Sequence, residues 1–220
     1  LISRMILGID EAGRGCVIGP LVICGLLASK ETIERFQEIG VRDSKQLSRK
    51  KREQLGTEIA SLAEDFMLIK ISPGEIDVCL WRHGLNSLEA AKTAEMINHL
   101  KPAVAYIDAP GKGARGYARL INSAIHVRIP IIAENFADRN YPVVSAASIL
   151  AKVHRDAVIQ ELHGEYGDFG SGYPSDRKTR EFLRHCYQRE GKFPDIVRTG
   201  WATVRKITAP RQADLAHIDE

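Results

Sequence analysis

The sequence has no apolar run near the roughly 20 residues a membrane-spanning helix needs, which excludes a helical membrane protein. Its four cysteines, Cys16, Cys24, Cys79 and Cys186, form no CxxC pair and show no zinc-ligand spacing. They read as buried or incidental thiols in a reducing compartment. Charge of one sign is also lacking: 31 Lys+Arg against 28 Asp+Glu leave +3 over 220 residues. Any contact with nucleic acid must then come from local patches rather than a global basic field. The seven histidines form no HExxH, and there is no GxSxG elbow and no P-loop, so zincin, serine-hydrolase and P-loop kinase readings lack support. Internal repeats and low-complexity segments are absent. Asp10 and Glu11 interrupt the first apolar run before it resembles a secretory segment. The expectation is a cytoplasmic protein with no membrane partner. Residues 1–4, ahead of Met5, are given no function.

What is present suits one substantial core, with 44% hydrophobic and 27% charged residues. Met5–Ile9 and Val17–Ala28 have the Ile/Val/Leu content of strands, and the Glu-Ala-Gly-Arg-Gly link between them predicts a tight hairpin turn. Ser29 is placed to cap a helix ending near Gly40, and Ser48 another with Leu55, Ile59 and Leu62 inward. Phe66–Ile71 predicts a strand stopped by Pro73. Asn86 and Glu89 have capping-box spacing at the start of a helix that Pro102 ends. Strands are expected at 103–107 and 129–133, with a helix at 118–126 between them. A long helix is expected from about Val143 to Glu165, its core face made of Ile149, Leu150, Val153, Ala157 and Leu162. Ser175 or Asp176 caps a last clear helix, with Phe182, Leu183, Cys186 and Tyr187 inward, and the tail from Pro210 is polar. Strands first, then alternating helices and strands, then a helical end predict an α/β protein: a mixed sheet with helices on its faces.

Four carboxylates stand at the edges of the most strand-like segments. Asp10 and Glu11 follow Ile6–Ile9, Asp108 follows Ala103–Ile107, and Asp138 follows Pro130–Ala133 just before a helix. One such acid alone is ordinarily a cap, a turn residue or a salt-bridge partner. Placed together at the end of buried strands they are costly, because apolar surroundings disfavour the charged form. A divalent cation removes that cost, and hard oxygen ligands suit Mg²⁺ and Mn²⁺. Two ions about 3.5–4 Å apart clamp the attacking water and the leaving oxygen in phosphoryl transfer. The acids therefore predict a metal-dependent phosphoryl-transfer site.

Gly13, Gly15 and Gly19 have the spacing of some dinucleotide loops, but the following residues are β-branched and include Pro20, and the neighbouring acids would repel a pyrophosphate. The segment reads as a hairpin turn whose bare backbone lets a substrate come close, with Arg14 pointing at it. Asp43-Ser44-Lys45, ahead of Arg49–Arg52, suits a phosphate grip; a solvated helix face is the competing reading. Ser145, Ser148 and Lys152 lie near a helix start, where anions bind, with capping as the alternative. Tyr173, in a Gly/Pro loop, is placed to stack on a sugar or base, or to fold back on the core. Arg177, Lys178, Arg180 and Arg184 make the late helix basic, which suits a nucleic-acid backbone.

Taken together these segments resemble ribonuclease HII, the type 2 ribonuclease H family, in its archaeal branch. Gly8-Ile-Asp-Glu-Ala-Gly-Arg-Gly15 is similar to the family's opening signature, and Asp43-Ser-Lys45 to its next short motif. Tyr106-Ile-Asp-Ala109 and Ala137-Asp138 resemble the segments that supply the remaining acids. Tyr141–Lys152 and Gly170-Ser-Gly-Tyr-Pro-Ser-Asp176 resemble later blocks, so the likeness spans roughly residues 5–206. The resemblance implies a ribonuclease H-like mixed five-stranded sheet flanked by helices over residues 5–170. A helical, substrate-binding C-terminal extension follows over residues 171–220. It implies a monomeric endoribonuclease that cleaves RNA in RNA/DNA hybrids and nicks 5′ of ribonucleotides in duplex DNA, leaving 3′-hydroxyl and 5′-phosphate ends. Asp10, Glu11, Asp108 and Asp138 fall on the ligands of two Mg²⁺ or Mn²⁺ ions. Gly13, Arg14 and Gly15 fall on the loop that reads the 2′-hydroxyl through its backbone, and Tyr173 on the residue that stacks against the next sugar. Cys16 and Gly200 depart from the family's usual Pro and His. A sliding clamp is a known partner of such proteins, but Gln212-Ala-Asp-Leu215 is followed by Ile218 and Asp219 rather than an aromatic pair. Two rivals remain: another nuclease or strand-transfer enzyme on the same core, and a non-catalytic hybrid-binding protein.

Overall fold

Period-two patterning along the first two strands sends alternate side chains to opposite helical layers. A computed structural model describes residues 5–41, 47–111 and 113–209. Strand β1 (Ile6–Ala12) pairs antiparallel with β2 (Leu21–Ala28). Helices α1 (Lys30–Glu38) and α2 (Arg49–Leu62) follow, capped by the Ser29 and Ser48 side chains as expected. Then come β3 (Asp65–Ile71), α3 (Pro73–Arg82), α4 (Leu85–Leu100), β4 (Val104–Asp108), α5 (Ala114–Ala124) and β5 (Ile131–Glu134). The chain continues through the short α6 (Ala137–Asn140), the long α7 (Pro142–Tyr166), α8 (Arg177–Glu190) and α9 (Ala202–Thr208). The sheet order is β3-β2-β1-β4-β5, antiparallel from β3 to β1 and parallel from β1 to β5. This is the mixed five-stranded sheet expected, with flanking helices and a helical C-terminal region.

Leu7, Ile9, Leu21 and Ile23 face α4 and α5, where they meet Met96, Ile97, Leu100 and Ile121. Cys24, Leu26 and Ala28 face the other way, against Phe36, Leu55, Ile59 and the start of α7. A third cluster joins Val17, Ile18 and Ile159 to Phe169, Leu183, Val197 and Val204, which attaches α8 and α9 to the end of α7.

Several local expectations are corrected. The β1–β2 connection is not a tight turn: residues 13–20 make an excursion in which Val17 and Ile18 both donate backbone N–H to the Gly172 carbonyl at 2.8 and 3.2 Å. Gly19, at φ 86°, and Pro20 stop β2 from starting at Val17. Pro73 ends β3 but also opens α3, where proline's missing N–H costs nothing. Ser72 and Glu75 form the capping box there. The box expected at Asn86 does not form; Gly84 is the cap of α4, and Glu89 is turned to another use described below. The first half of α7 is buried on every side from Val143 to Ala151, which a single apolar stripe does not predict. Beyond it Ala157 is exposed, and Arg155 is the buried residue instead.

The fit of α7 against β1 depends on Gly8. A Cβ there would stand 2.3 Å from the Val143 carbonyl oxygen, a backbone atom that cannot swing aside. Gly8→Val should therefore destabilise the fold by about 3 kcal/mol, measured by denaturant unfolding. A loss below about 0.5 kcal/mol would contradict this packing.

Candidate active site

Strand register brings the first two acids together. Ile9 pairs with Ile107 in the parallel β1–β4 ladder, so the next residues, Asp10 and Asp108, leave the C-terminal ends of neighbouring strands side by side. Ligand sites in parallel sheets form at such ends. Asp138 arrives from α6. The chain turns into α6 at Phe136, held at φ 61°, and the Ala137 N–H donates to Asp108 Oδ1 at 3.2 Å. Asn135 fastens the same turn by donating to the Ala109 carbonyl at 2.7 Å. One carboxylate oxygen from each of Asp10, Asp108 and Asp138 lies within 4.8 Å of the others. Glu11 lines the same pocket but stands outside this close group. Side chains alternate along a strand, so Asp10 faces α7 while Glu11 faces α4 and its Glu89.

Burial dominates the electrostatics. It pushes the Asp10 carboxyl up to about 7, helped by Asp108 and opposed by the Lys152 ammonium and the Ser148 hydroxyl. Burial, then Asp10, Glu89 and Asp108, hold Glu11 well above the usual carboxylate range. Such a group of hard oxygens in a desolvated place fits a divalent cation, which supplies the missing positive charge. It offers no nitrogen or sulfur that would favour a softer metal. Asp10, Asp108 and Asp138, with Glu11 in the same lining, are the residues that would hold it.

The pocket over these acids has a volume of about 510 Å³ and is lined also by Arg52, Lys152, Arg155, Asp156 and Tyr173. Gly13, Arg14 and Gly15 form its floor on the β1 side. Arg14 is part of this lining, but its guanidinium is already engaged. Its Nε donates to both Glu89 carboxylate oxygens at 2.9 and 3.1 Å, and Nη2 to Asn86 Oδ1 at 2.6 Å. The expectation of a substrate-facing Arg14 side chain is thus corrected: a buried acid draws it onto α4. Tyr173, 40% exposed, lies beside Gly15 with the Arg155 guanidinium 5.3 Å from its ring centre. Arg155 Nη2 also donates to the Ser171 carbonyl at 3.0 Å and to Cys16 Sγ at 2.9 Å. Cys16 is therefore a packed partner of the Tyr173 loop, and its thiol is pushed up by burial.

Other expected residues fall as follows. Lys152 lines the pocket, its Nζ donating to Ser148 Oγ at 2.7 Å. Ser145, expected to meet substrate, does not line it and sits 1% exposed inside the fully buried half of α7. Asp43, Ser44 and Lys45 lie outside the described residues. Of the basic run 49–52 only Arg52 reaches the pocket, donating to the Leu47 carbonyl at 2.9 Å and to Asp156 at 3.2 Å. Arg180 and Arg184 join Lys206 and Tyr187 around a second cavity of about 910 Å³ between α8 and α9. The Gly200 region is held by Asp77, which accepts from the Thr199 and Gly200 N–H groups at 2.7 and 3.1 Å. Sequence reasoning missed Glu89, Arg155 and Arg198 as parts of the site. The available signal was a charged residue inside an apolar stretch, as in Ile196-Val197-Arg198.

A raised carboxyl pKa has a definite consequence for stability. Asp10, at about 7 when folded and 3.8 ordinarily, holds its proton in the folded state over the window between these values. The stability this contributes is complete below 3.8 and is lost as pH rises through about 7. Glu89, pushed up to about 7 by burial against the pull of Arg14, adds in the same sense. Glu64, Glu75, Asp168 and Asp176 lie below their ordinary values and act only at more acid pH. Melting of the metal-free protein should therefore move to lower temperature from pH 5 to pH 8. The upward shift produced by Mn²⁺ should grow over the same range. A metal-induced shift equal at both pH values would contradict the assignment.

Comparison with known proteins agrees with this geometry. The family model described as Ribonuclease HII matches residues 7–204. The chain is 50% identical over 203 residues to ribonuclease HII of Pyrococcus furiosus, covering 91% of this chain and 89% of that protein. Its structure is similar to that of ribonuclease H2 from Pyrococcus horikoshii OT3, with TM-score 0.86 and 44% identity over 93% of this chain and 97% of that one. It is also similar to the ribonuclease HII solved in complex with PCNA from Archaeoglobus fulgidus, with TM-score 0.84 and 40% identity over 95% and 99% of the two chains. The sheet, the acids at its strand ends and these likenesses agree: the chain belongs to the ribonuclease HII family of metal-dependent endoribonucleases, in its archaeal form.

Proposed function

We propose that this chain, beyond cleaving RNA in RNA/DNA hybrids as its family does, nicks duplex DNA on the 5′ side of an embedded ribonucleotide. The products carry 3′-hydroxyl and 5′-phosphate ends. The observation that carries the reading is the convergence of Asp10, Asp108 and Asp138 in one pocket floored by the 13–15 loop. Asp10, Glu11, Asp108 and Asp138 are its catalytic residues and the holders of two ions, Mg²⁺ or Mn²⁺. When bound, these ions supply charge neutralisation for the scissile phosphate and ready a water for attack.

The chain's own residues do the rest by positioning. Register fixes Asp10 beside Asp108, and the Phe136 turn fixes Asp138, so the acids are set before substrate arrives. The backbone of Gly13, Arg14 and Gly15 borders the pocket where a ribose would lie, and the 2′-hydroxyl is the group that separates RNA from DNA. Tyr173 presents its ring next to Gly15 for stacking on the following sugar. Lys152, beside Asp10, and Arg155 place positive charge in the lining of the pocket. The basic groove between α8 and α9 gives the described part of the C-terminal segment a surface for the duplex backbone. A sliding clamp is not part of this proposal, because the chain's C-terminal sequence lacks the aromatic pair after Leu215.

Asp10→Asn and Asp108→Asn should each lower turnover by at least about a thousandfold while the protein still folds. A duplex holding one ribonucleotide should be nicked at that site only with Mg²⁺ or Mn²⁺ present. Near-normal turnover in either variant would remove the acids from the mechanism. Cutting of the mixed duplex without regard to the ribonucleotide would favour another nuclease on this core, and binding without metal-dependent cutting would favour a hybrid-binding protein. For Tyr173→Ala, kcat/KM should fall by roughly tenfold, the worth of one lost stacking contact. Tyr173→Phe should stay near wild type, and equal losses in both would show that the hydroxyl, not the ring, matters.

A further inference from the structure

Arg198 lies far along the chain from the 13–15 loop and beneath it. It is fully buried, with no exposed surface. Its guanidinium donates to three backbone carbonyls of the β1–β2 connection: Nη2 to Gly13 at 2.8 Å, Nη1 to Arg14 at 2.9 Å and Nε to Gly19 at 3.0 Å. Burial lowers its pKa to about 10, so it remains cationic at neutral pH. A buried charge met only by carbonyl oxygens and by the Trp201 ring, 5.0 Å from the guanidinium, is a costly device for merely joining two segments. Backbone pairing already joins them, through the Arg198 N–H to Val17 at 2.8 Å and the Gly19 N–H to Ile196 at 2.8 Å.

The device has a directional effect. In a trans peptide the N–H points opposite to the C=O of the same unit. With the Gly13 and Arg14 carbonyls drawn down to Arg198, the N–H groups of Arg14 and Gly15 are turned the other way. Neither N–H has a hydrogen-bond partner among the described residues, and both residues border the acid-lined pocket. The Arg14 side chain is held apart from this by Glu89 and Asn86. Asp77 on α3 anchors the turn that carries Arg198, taking the Thr199 N–H at 2.7 Å and the Gly200 N–H at 3.1 Å.

We infer that Arg198 is a positioning residue for ribose selection: by gripping two consecutive carbonyls it aims the Arg14 and Gly15 N–H groups at the 2′-hydroxyl. This rests on the proposed reading of that loop. Without the grip only the Cys16 N–H, at 3.3 Å, still holds the Gly13 carbonyl, the Arg14 carbonyl loses its partner, and the donors lose their common aim.

The test compares binding of two otherwise identical duplexes, one with a single ribonucleotide and one all-deoxy. Ca²⁺ replaces Mg²⁺, gels check that no product forms, and folding is followed by circular dichroism and melting. Wild type should favour the ribonucleotide duplex. In Arg198→Gln that preference should fall by roughly tenfold, the worth of about one misaimed hydrogen bond. All-deoxy binding should stay unchanged, because a purely structural role would weaken both duplexes alike. If Arg198→Gln does not fold, Arg198→Lys decides: its single ammonium keeps the charge but cannot grip both loop carbonyls and Gly19, so the preference should still fall. A full preference in a folded Arg198 variant, or equal weakening of both duplexes, would overturn the positioning role alone. A wild-type protein with no preference at all would overturn the loop reading and this inference with it.

Discussion

Three carboxylates, two of them buried and Asp108 partly so, are crowded together at the C-terminal edge of a sheet. That unfavourable meeting is the constraint on which the rest of the structure depends. Ordinary folding pressure would separate such groups or pair each with a base. Here β1 and β4 are locked in parallel register, and Asp138 is brought in by a turn that forces Phe136 into a left-handed conformation. Both features add cost to the isolated protein. The cost is understandable where a cation completes the site, since preformed oxygens need not reorganise when it arrives.

The surrounding scaffold serves to hold that arrangement still. Helix α7 is buried on all sides for its first half, and Gly8 lets it approach β1 so closely that the Ser148 and Lys152 end reaches Asp10. Two buried arginines then tie the later chain to the site. Arg155 supports the Tyr173 loop from α7, and Arg198 supports the glycine loop from the segment before α9. Arg198 spends its donors on three backbone carbonyls, while Arg155 divides its own among the Ser171 carbonyl, the Cys16 sulfur and the Asp156 carboxylate, so each fixes the path of a loop. The site is thus built from elements distant in sequence, with α8 and α9 part of it rather than an appendage.

Much of this was legible in the sequence because its signals are local. Strand-like runs, serine caps at Ser29 and Ser48, and acids ending apolar segments depend on neighbours a few residues away. The order of motifs gave the family likeness. What the sequence did not disclose depends on partners far along the chain. Asn86 and Glu89 have capping-box spacing, yet Glu89 is taken by Arg14 from 75 residues earlier, a long-range ion pair that overrides the local preference. Pro73 signals a strand's end and a helix's start equally well. The substrate-facing Arg14 was a natural reading of an arginine between glycines, and only packing shows it bent away. Nor does composition separate Glu11, half-buried on the α4 side, from the three acids that meet.

The most direct test of the account is the number of protons released when Mn²⁺ binds, followed by calorimetry in buffers of different ionisation enthalpy. Because burial holds the Asp10 proton until about pH 7, binding at pH 6 should release about one proton. That release should fade above pH 8 and vanish in Asp10→Asn. Binding that releases no proton at pH 6, or that is equally tight in Asp10→Asn, would contradict the claim that these strand-end carboxylates hold the metal.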